Sequence, residues 1–233
     1  MKARWIVPAA LFLACVVPVL AGIYRSTTII LDGVWAFKFE PDRVDRLPLF
    51  VHVLCSGFYY PLAALQVLPR FRARYPKWHR KAGKVVVVAG LAGASSSIWM
   101  SALHQEARGP ILLYGRLVFG PLWALFLVLG VLAIGRRDFK RHGEWMVRAF
   151  AVAMPAGTLI FLVAPFVLVL GELHPVLDES IQSFAWILHL GIAELLIRRN
   201  RKAATNVHHK STHRGRQEST KRSIGTATAS PLR

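Results

Sequence analysis

Long apolar runs, each nearly the thickness of a membrane or more, alternate along this chain with short polar connections, and that alternation restricts the fold more than any other feature. A helix rises 1.5 Å per residue, so roughly 20 apolar residues cross the hydrocarbon core of a bilayer. Ile6–Ile23, Leu49–Leu68, Val85–Leu103, Leu117–Ile134 and Ala149–Leu170 approach or exceed that length. Ile181–Ile197 is a weaker sixth run because it carries Gln182, His189 and Glu194. The expectation is an all-α integral membrane bundle of about six transmembrane helices within residues 1–197. A disordered, basic, cytoplasmic tail over residues 198–233 should follow. Composition agrees, since 54% hydrophobic residues and a net charge of +18 can coexist only if they are segregated along the chain.

The first run also fits a cleavable signal peptide, because MKAR precedes it and Val19-Leu20-Ala21 offers small residues at a cleavage point. Its full span length favours an uncleaved first helix. A lipoprotein reading at Cys15 fails because strongly apolar residues follow that cysteine.

Charge sets the expected orientation. PRFRARYPKWHRKAGK, from Pro69 to Lys84, and GRRDFKRHGEW, from Gly135 to Trp145, hold most of the Lys and Arg between the spans. The connection Gly171–Ser180 carries Glu172, Asp178 and Glu179 with no Lys or Arg. With both termini inside, every basic connection falls on one side, as the positive-inside rule requires. The basic segments then read as topogenic signals that contact anionic lipid head groups of the inner (plasma) membrane. That assignment removes the case for nucleic-acid binding. His208, His209 and His213 in the tail read as solvated polar residues rather than a metal site.

Sidedness leaves the histidines unexplained. His79 and His142 each stand a few residues before a span, near the inner boundary, whereas His52, His104 and His189 sort to the outer half or the sixth span. An ionisable side chain at membrane depth is costly and calls for a functional reading. Histidines on facing helices can ligate haem iron axially. His79 and His142 are therefore the candidate ligands of a non-covalent haem b, and Arg148 could neutralise a propionate. Ala89, Gly93, Ser97 and Ser101 recur every four residues along the third span, a small-residue stripe that suits close helix packing or the approach of a flat cofactor.

His52, Gln66, Leu68, Pro69 and Arg70, then Pro76, His79, Arg80 and Gly83, then Asp138, His142, Trp145, Met146 and Arg148 resemble the signature positions of the bacterial membrane proteins grouped as domain of unknown function 2306, DUF2306. The likeness covers roughly Leu49–Thr158, with RHGEWMVRAF its most specific part and Ala63-Ala64 a departure from its usual Gly-Pro. It implies a multi-helix membrane protein and marks His52, His79, His142 and Arg148 as family positions, without a reaction. The chain is more loosely similar to the cytochrome b561 group, in which histidines on central helices ligate two b-type haems. His79 and His142 would match one such pair, but the fourth span has no His to complete the other.

Two function classes follow. One is a b-type haem or quinone-linked electron carrier, a membrane oxidoreductase or electron-transfer component with cofactor-binding residues His52, His79, His142 and Arg148. The other is a non-redox protein, either a small transporter or an accessory subunit.

Overall fold

Proline opens five of the eight described helices, because its fixed φ suits the first helical position and its missing N–H has no partner to lose there. The computed structural model describes residues 6–31, 46–103, 109–171 and 173–227. The helices are α1 (Ile6–Leu31), α2 (Arg46–Val67), α3 (Pro69–Arg74), α4 (Pro76–Leu103), α5 (Pro110–Gly135), α6 (Phe139–Ala153), α7 (Pro155–Leu170) and α8 (Pro175–Ala227). No strand occurs among the described residues. The chain divides into two units, Met1–Gly191 and Ile192–Arg233. All packing described below lies within the first.

Four helical stretches are long and apolar enough to cross a membrane: Leu47–Val67, Pro76–Leu103, Pro110–Gly135 and Pro175–Ala203. Helices α6 and α7 qualify together as a fifth, bent by 43° at the break between them. Helix α1 contains an apolar stretch over Leu13–Tyr24. The expected all-α membrane bundle is thus present. The span read as Ala149–Leu170 is corrected by the structure, since its helix begins at Phe139 and breaks at Met154. Pro155 has no N–H for the carbonyl four residues back, so the helix cannot continue straight.

The two basic segments differ from the expected loops in the same way. The first forms the six-residue helix α3 and the opening turns of α4; the second closes α5 and opens α6. His79 and His142 each stand fourth in their helix, and their N–H groups donate to Tyr75 O and Asp138 O at 2.9 Å. The α5–α6 turn follows from its backbone. Arg137 adopts a left-handed φ of 58°, and Arg137 N–H and Asp138 N–H return to Ile134 O and Ala133 O, both at 2.9 Å. That pair of bonds is the Schellman closure. The Asp138 carboxylate then caps α6 by accepting from Arg141 N–H at 3.0 Å.

Beyond Arg198 the backbone is helical to Ala227. No proline lies between Pro175 and Ala227, and Lys, Arg, Ala and Gln are strong helix formers.

Helices α2, α4 and α5 form the centre of the first unit, with α1 packed on α2 and α6 on α5. Tyr59 and Leu127 are its largest fully buried side chains. They meet over Gly90, where an added Cβ would lie 2.6 Å from Leu127 Cδ1 and 2.9 Å from Tyr59 Cε2. Neither neighbour has space to retreat into. Gly90→Ala should therefore lower stability by about 1–3 kcal/mol through overpacking, despite the better helix propensity of alanine. Thermal denaturation in detergent measures this; an unchanged or raised midpoint would contradict the packing described.

Candidate functional site

A cavity of about 560 Å³ lies among α2, α4, α5, the α6–α7 junction and the start of α8. Its polar lining comes from His52, Ser97, Ser101, Arg116 and Gln182, and its walls include Trp123, Trp186, Phe119 and Tyr60. Each polar residue stands near the same end of the bundle: early in α2, late in α4, and early in α5 and α8.

His52 is held in a defined state. Its Nδ1 lies 2.9 Å from Gly93 O, and because a carbonyl only accepts, Nδ1 carries the proton. Nε2 then keeps its lone pair on a ring that lines the cavity. Ser96 reinforces this arrangement, donating from Oγ to Gly93 O at 2.9 Å and lying 3.3 Å from His52 Nδ1. The absence of a side chain at Gly93 makes room for the Trp123 ring, from which a Cβ there would lie 3.1 Å. Arg116 is within electrostatic reach of His52.

The aromatic wall is fixed by its own contacts. Trp123 donates from Nε1 to Tyr59 Oη at 3.3 Å and meets that ring edge-on at 5.0 Å. Trp186 stacks on Phe119 at 5.3 Å and 13°. Tyr60 Oη donates to Ala153 O at 2.7 Å. At the break Gly157 N–H turns to Met154 O at 2.9 Å, so Tyr60 serves a carbonyl that the bent backbone leaves in need of a donor. The opening of α5 is tied down in turn by Glu179 of α8, whose Oε2 accepts from Ile111 N–H at 3.2 Å and Leu112 N–H at 3.4 Å.

The other histidines divide. His142 Nδ1 donates to Gly130 O at 2.9 Å, the same anchoring as His52. His79 lies within electrostatic reach of His142 and Arg72. Its Nδ1 is buried without a hydrogen-bond partner among the described residues, while Gln66 Nε2 donates to its backbone carbonyl at 3.0 Å. The structure thus brings His79 and His142 near one another and leaves them out of the cavity lining that contains His52. The Arg148 guanidinium lies 4.7 Å over the Trp145 ring, which stacks on Phe126. His189 has both ring nitrogens engaged, Nδ1 with Ala185 O at 2.6 Å and Nε2 with Thr158 Oγ1 at 3.0 Å, so neither is left for a metal. His104 lies outside the described residues. No cluster of three or more His, Cys, Asp or Glu able to hold a metal ion occurs among the described residues.

Sequence reasoning did not single out Arg116 as a lining residue and treated Gln182 only as a weakness of the sixth span, although Ser97 and Ser101 stood in the small-residue stripe it noted. The signal was depth. Sorting every polar residue by distance from its helix end, rather than the histidines alone, would have gathered them beside His52.

Residues 49–197, well over half of the chain, match the family described as "Predicted membrane protein (DUF2306)". The chain belongs to this family. The match runs past the expected Thr158 into α8 and covers His52, His79, His142 and Arg148 as well as the cavity-lining residues. No curated protein and no solved structure matches this DUF2306 protein. The comparisons give no support to the looser likeness to the cytochrome b561 group.

Proposed function

We propose that this DUF2306 protein binds a quinone-class molecule, a flat lipophilic ring with two carbonyl oxygens, in the cavity beside His52. The observation that carries this reading is His52 itself, fixed by Gly93 O with Nε2 left to a cavity that also contains Arg116 and aromatic walls. The volume falls within the range of about 300–1,000 Å³ typical of small-molecule sites. Arg116, Gln182 and Ser97 supply donors suited to ring carbonyls, and Trp123, Trp186 and Phe119 supply faces for a flat ring. Quinone reduction consumes two electrons and two protons, and quinol oxidation releases them. Neutral His52 can take a proton at Nε2 from a ring hydroxyl, and as imidazolium it can return one. The proposed placement is the bacterial inner membrane, with both termini and the basic segments on the cytoplasmic side and the cavity toward the opposite face.

A second reading, haem b between His79 and His142, is favoured by the buried, partnerless Nδ1 of His79 and by the anchoring of His142. A ligating imidazole ordinarily donates its other ring N–H to a carbonyl, as His142 does to Gly130 O. The chemistry of this pair fits axial ligation, and haem bound there would supply one-electron transfer. Arg148, stacked on Trp145, would have to leave that ring to meet a propionate. The non-redox alternatives, a small transporter or an accessory subunit, would leave the protein without either ligand.

Two measurements on protein purified from haem-replete cells test these readings. A short-chain quinone should quench tryptophan fluorescence saturably through Trp123 and Trp186. Absence of saturable quenching would overturn quinone binding. A Soret band with a reducible α-band, lost in both His79→Ala and His142→Ala, is the result expected of haem; a colourless protein would end that reading and leave the first intact.

A further inference from the structure

We infer that the first two turns of α4 form a binding site for the head-group phosphate of an anionic phospholipid. Lys77, Arg80, Lys81 and Lys84 are separated by three, four and seven residues, spacings that place side chains on one face of a helix. The stripe extends about 10.5 Å along the axis. All four side chains are exposed, and together with Trp78 they border a groove of about 590 Å³.

The charge on this stripe is unanswered among the described residues. No Asp or Glu occurs between Asp45 and Glu106. None of the four cations is in an ion pair with a described residue. The second basic segment differs, because Arg141 pairs with Asp138 at 3.4 Å and Glu144 follows within the same helix. Four cations crowded without a counter-ion repel one another, and an anion arriving from outside relieves that repulsion.

Position makes that anion a lipid. Helices α2 and α4 pack side by side and each can cross a membrane, so the short segment joining the end of one to the start of the other lies at a membrane surface in either orientation of the bundle. Phe71 of α3 meets Trp78 edge-on at 4.9 Å and Tyr75 at 5.1 Å. Arg74 lies 5.6 Å over the Tyr75 ring. Such a cluster, apolar in body and polar at its Tyr and Trp tips, suits the level of the head groups. A free phosphate ion could use the cations but not the rings, whereas a phospholipid uses both. Three of the four cations are lysines, compact charges that meet a phosphate from many directions. The site rests on the membrane reading alone and is independent of what the cavity holds.

The test uses the full-length protein in a neutral detergent, with bound lipid counted by native mass spectrometry during titration with phosphatidylglycerol or phosphatidylcholine. Phosphatidylglycerol should be retained in preference. The variant Lys77→Gln/Arg80→Gln/Lys81→Gln/Lys84→Gln should bind it at least about tenfold more weakly, since each cation near an anionic surface contributes measurably. Removing four charges from the other segment, through Arg136→Gln/Arg137→Gln/Lys140→Gln/Arg141→Gln, should change affinity far less, because none of them borders the groove and Arg141 is already paired with Asp138. Single Lys81→Gln, at an exposed position, should cost about fivefold. Equal losses in the two quadruple variants would show that net charge alone acts and would overturn the site. Displacement of phosphatidylglycerol by inorganic phosphate at equal phosphate concentration would overturn the lipid assignment, as would equal retention of phosphatidylcholine.

Discussion

His52→Phe should weaken binding of the quinol, whose ring hydroxyl donates to His52 Nε2, by about two- to tenfold while leaving the protein folded. A hydrogen bond between neutral partners contributes about 0.5–1.5 kcal/mol, and 1.4 kcal/mol is a factor of ten in affinity. Phenylalanine keeps a planar ring where the imidazole stands. The Gly93 carbonyl loses the Nδ1–H donor but still receives Ser96 Oγ at 2.9 Å, so the α2–α4 contact is not left with an orphaned acceptor. Stability should therefore hold while affinity falls. Arg116→Gln should cost a similar factor. If both side chains address the same ligand, the double variant should lose less than the product of the single losses. His189→Phe is the control, because its ring nitrogens are engaged by Ala185 and Thr158 and it does not line the cavity. Fluorescence titration with one short-chain quinol, kept reduced, reads all four proteins. Unchanged affinity in His52→Phe, or an equal loss in His189→Phe, would remove His52 from the site.

Much of the fold was legible because a bilayer demands long apolar helices. Five of the expected spans coincide with Leu47–Val67, Pro76–Leu103, Pro110–Gly135, the bent α6–α7 pair and Pro175–Ala203. The boundaries were not legible. Apolar runs mark where a helix enters hydrocarbon, whereas the helix itself starts wherever a proline or a cap permits, at Pro76 rather than Val85 and at Phe139 rather than Ala149. The site was half legible. His52, His79 and His142 stood out as ionisable groups at membrane depth, and two of them share one anchoring device, Nδ1–H to a glycine carbonyl. Which of them share a space was hidden, since depth is a coordinate along the helices and the cavity is also defined by rotation about them. The small stripe of α4 illustrates this. Ser97 and Ser101 from it line the cavity, while Gly93 on the same stripe faces Trp123 and Ser56.

Tyr60→Phe should destabilise the bundle by about 1–3 kcal/mol, the cost of leaving a buried acceptor unpaired. Tyr60 is only 5% exposed, and its hydroxyl donates at 2.7 Å to Ala153 O, the last residue of α6. In a straight helix that carbonyl would accept from Gly157 N–H, but the 43° bend sends that N–H to Met154 O instead. Tyr59→Phe provides the comparison: its hydroxyl makes a longer bond, accepting from Trp123 Nε1 at 3.3 Å, and its removal should cost less. Pro155→Ala addresses the cause directly, since it restores the N–H missing at the break and lets α6 run on into α7. In that background Ala153 O can regain a helical partner, and Tyr60→Phe should then cost less than about 1 kcal/mol. Thermal denaturation of the four proteins in one detergent gives the comparison. Equal costs of Tyr60→Phe with and without Pro155 would show that the hydroxyl does not serve the break, and the bend would then need another support.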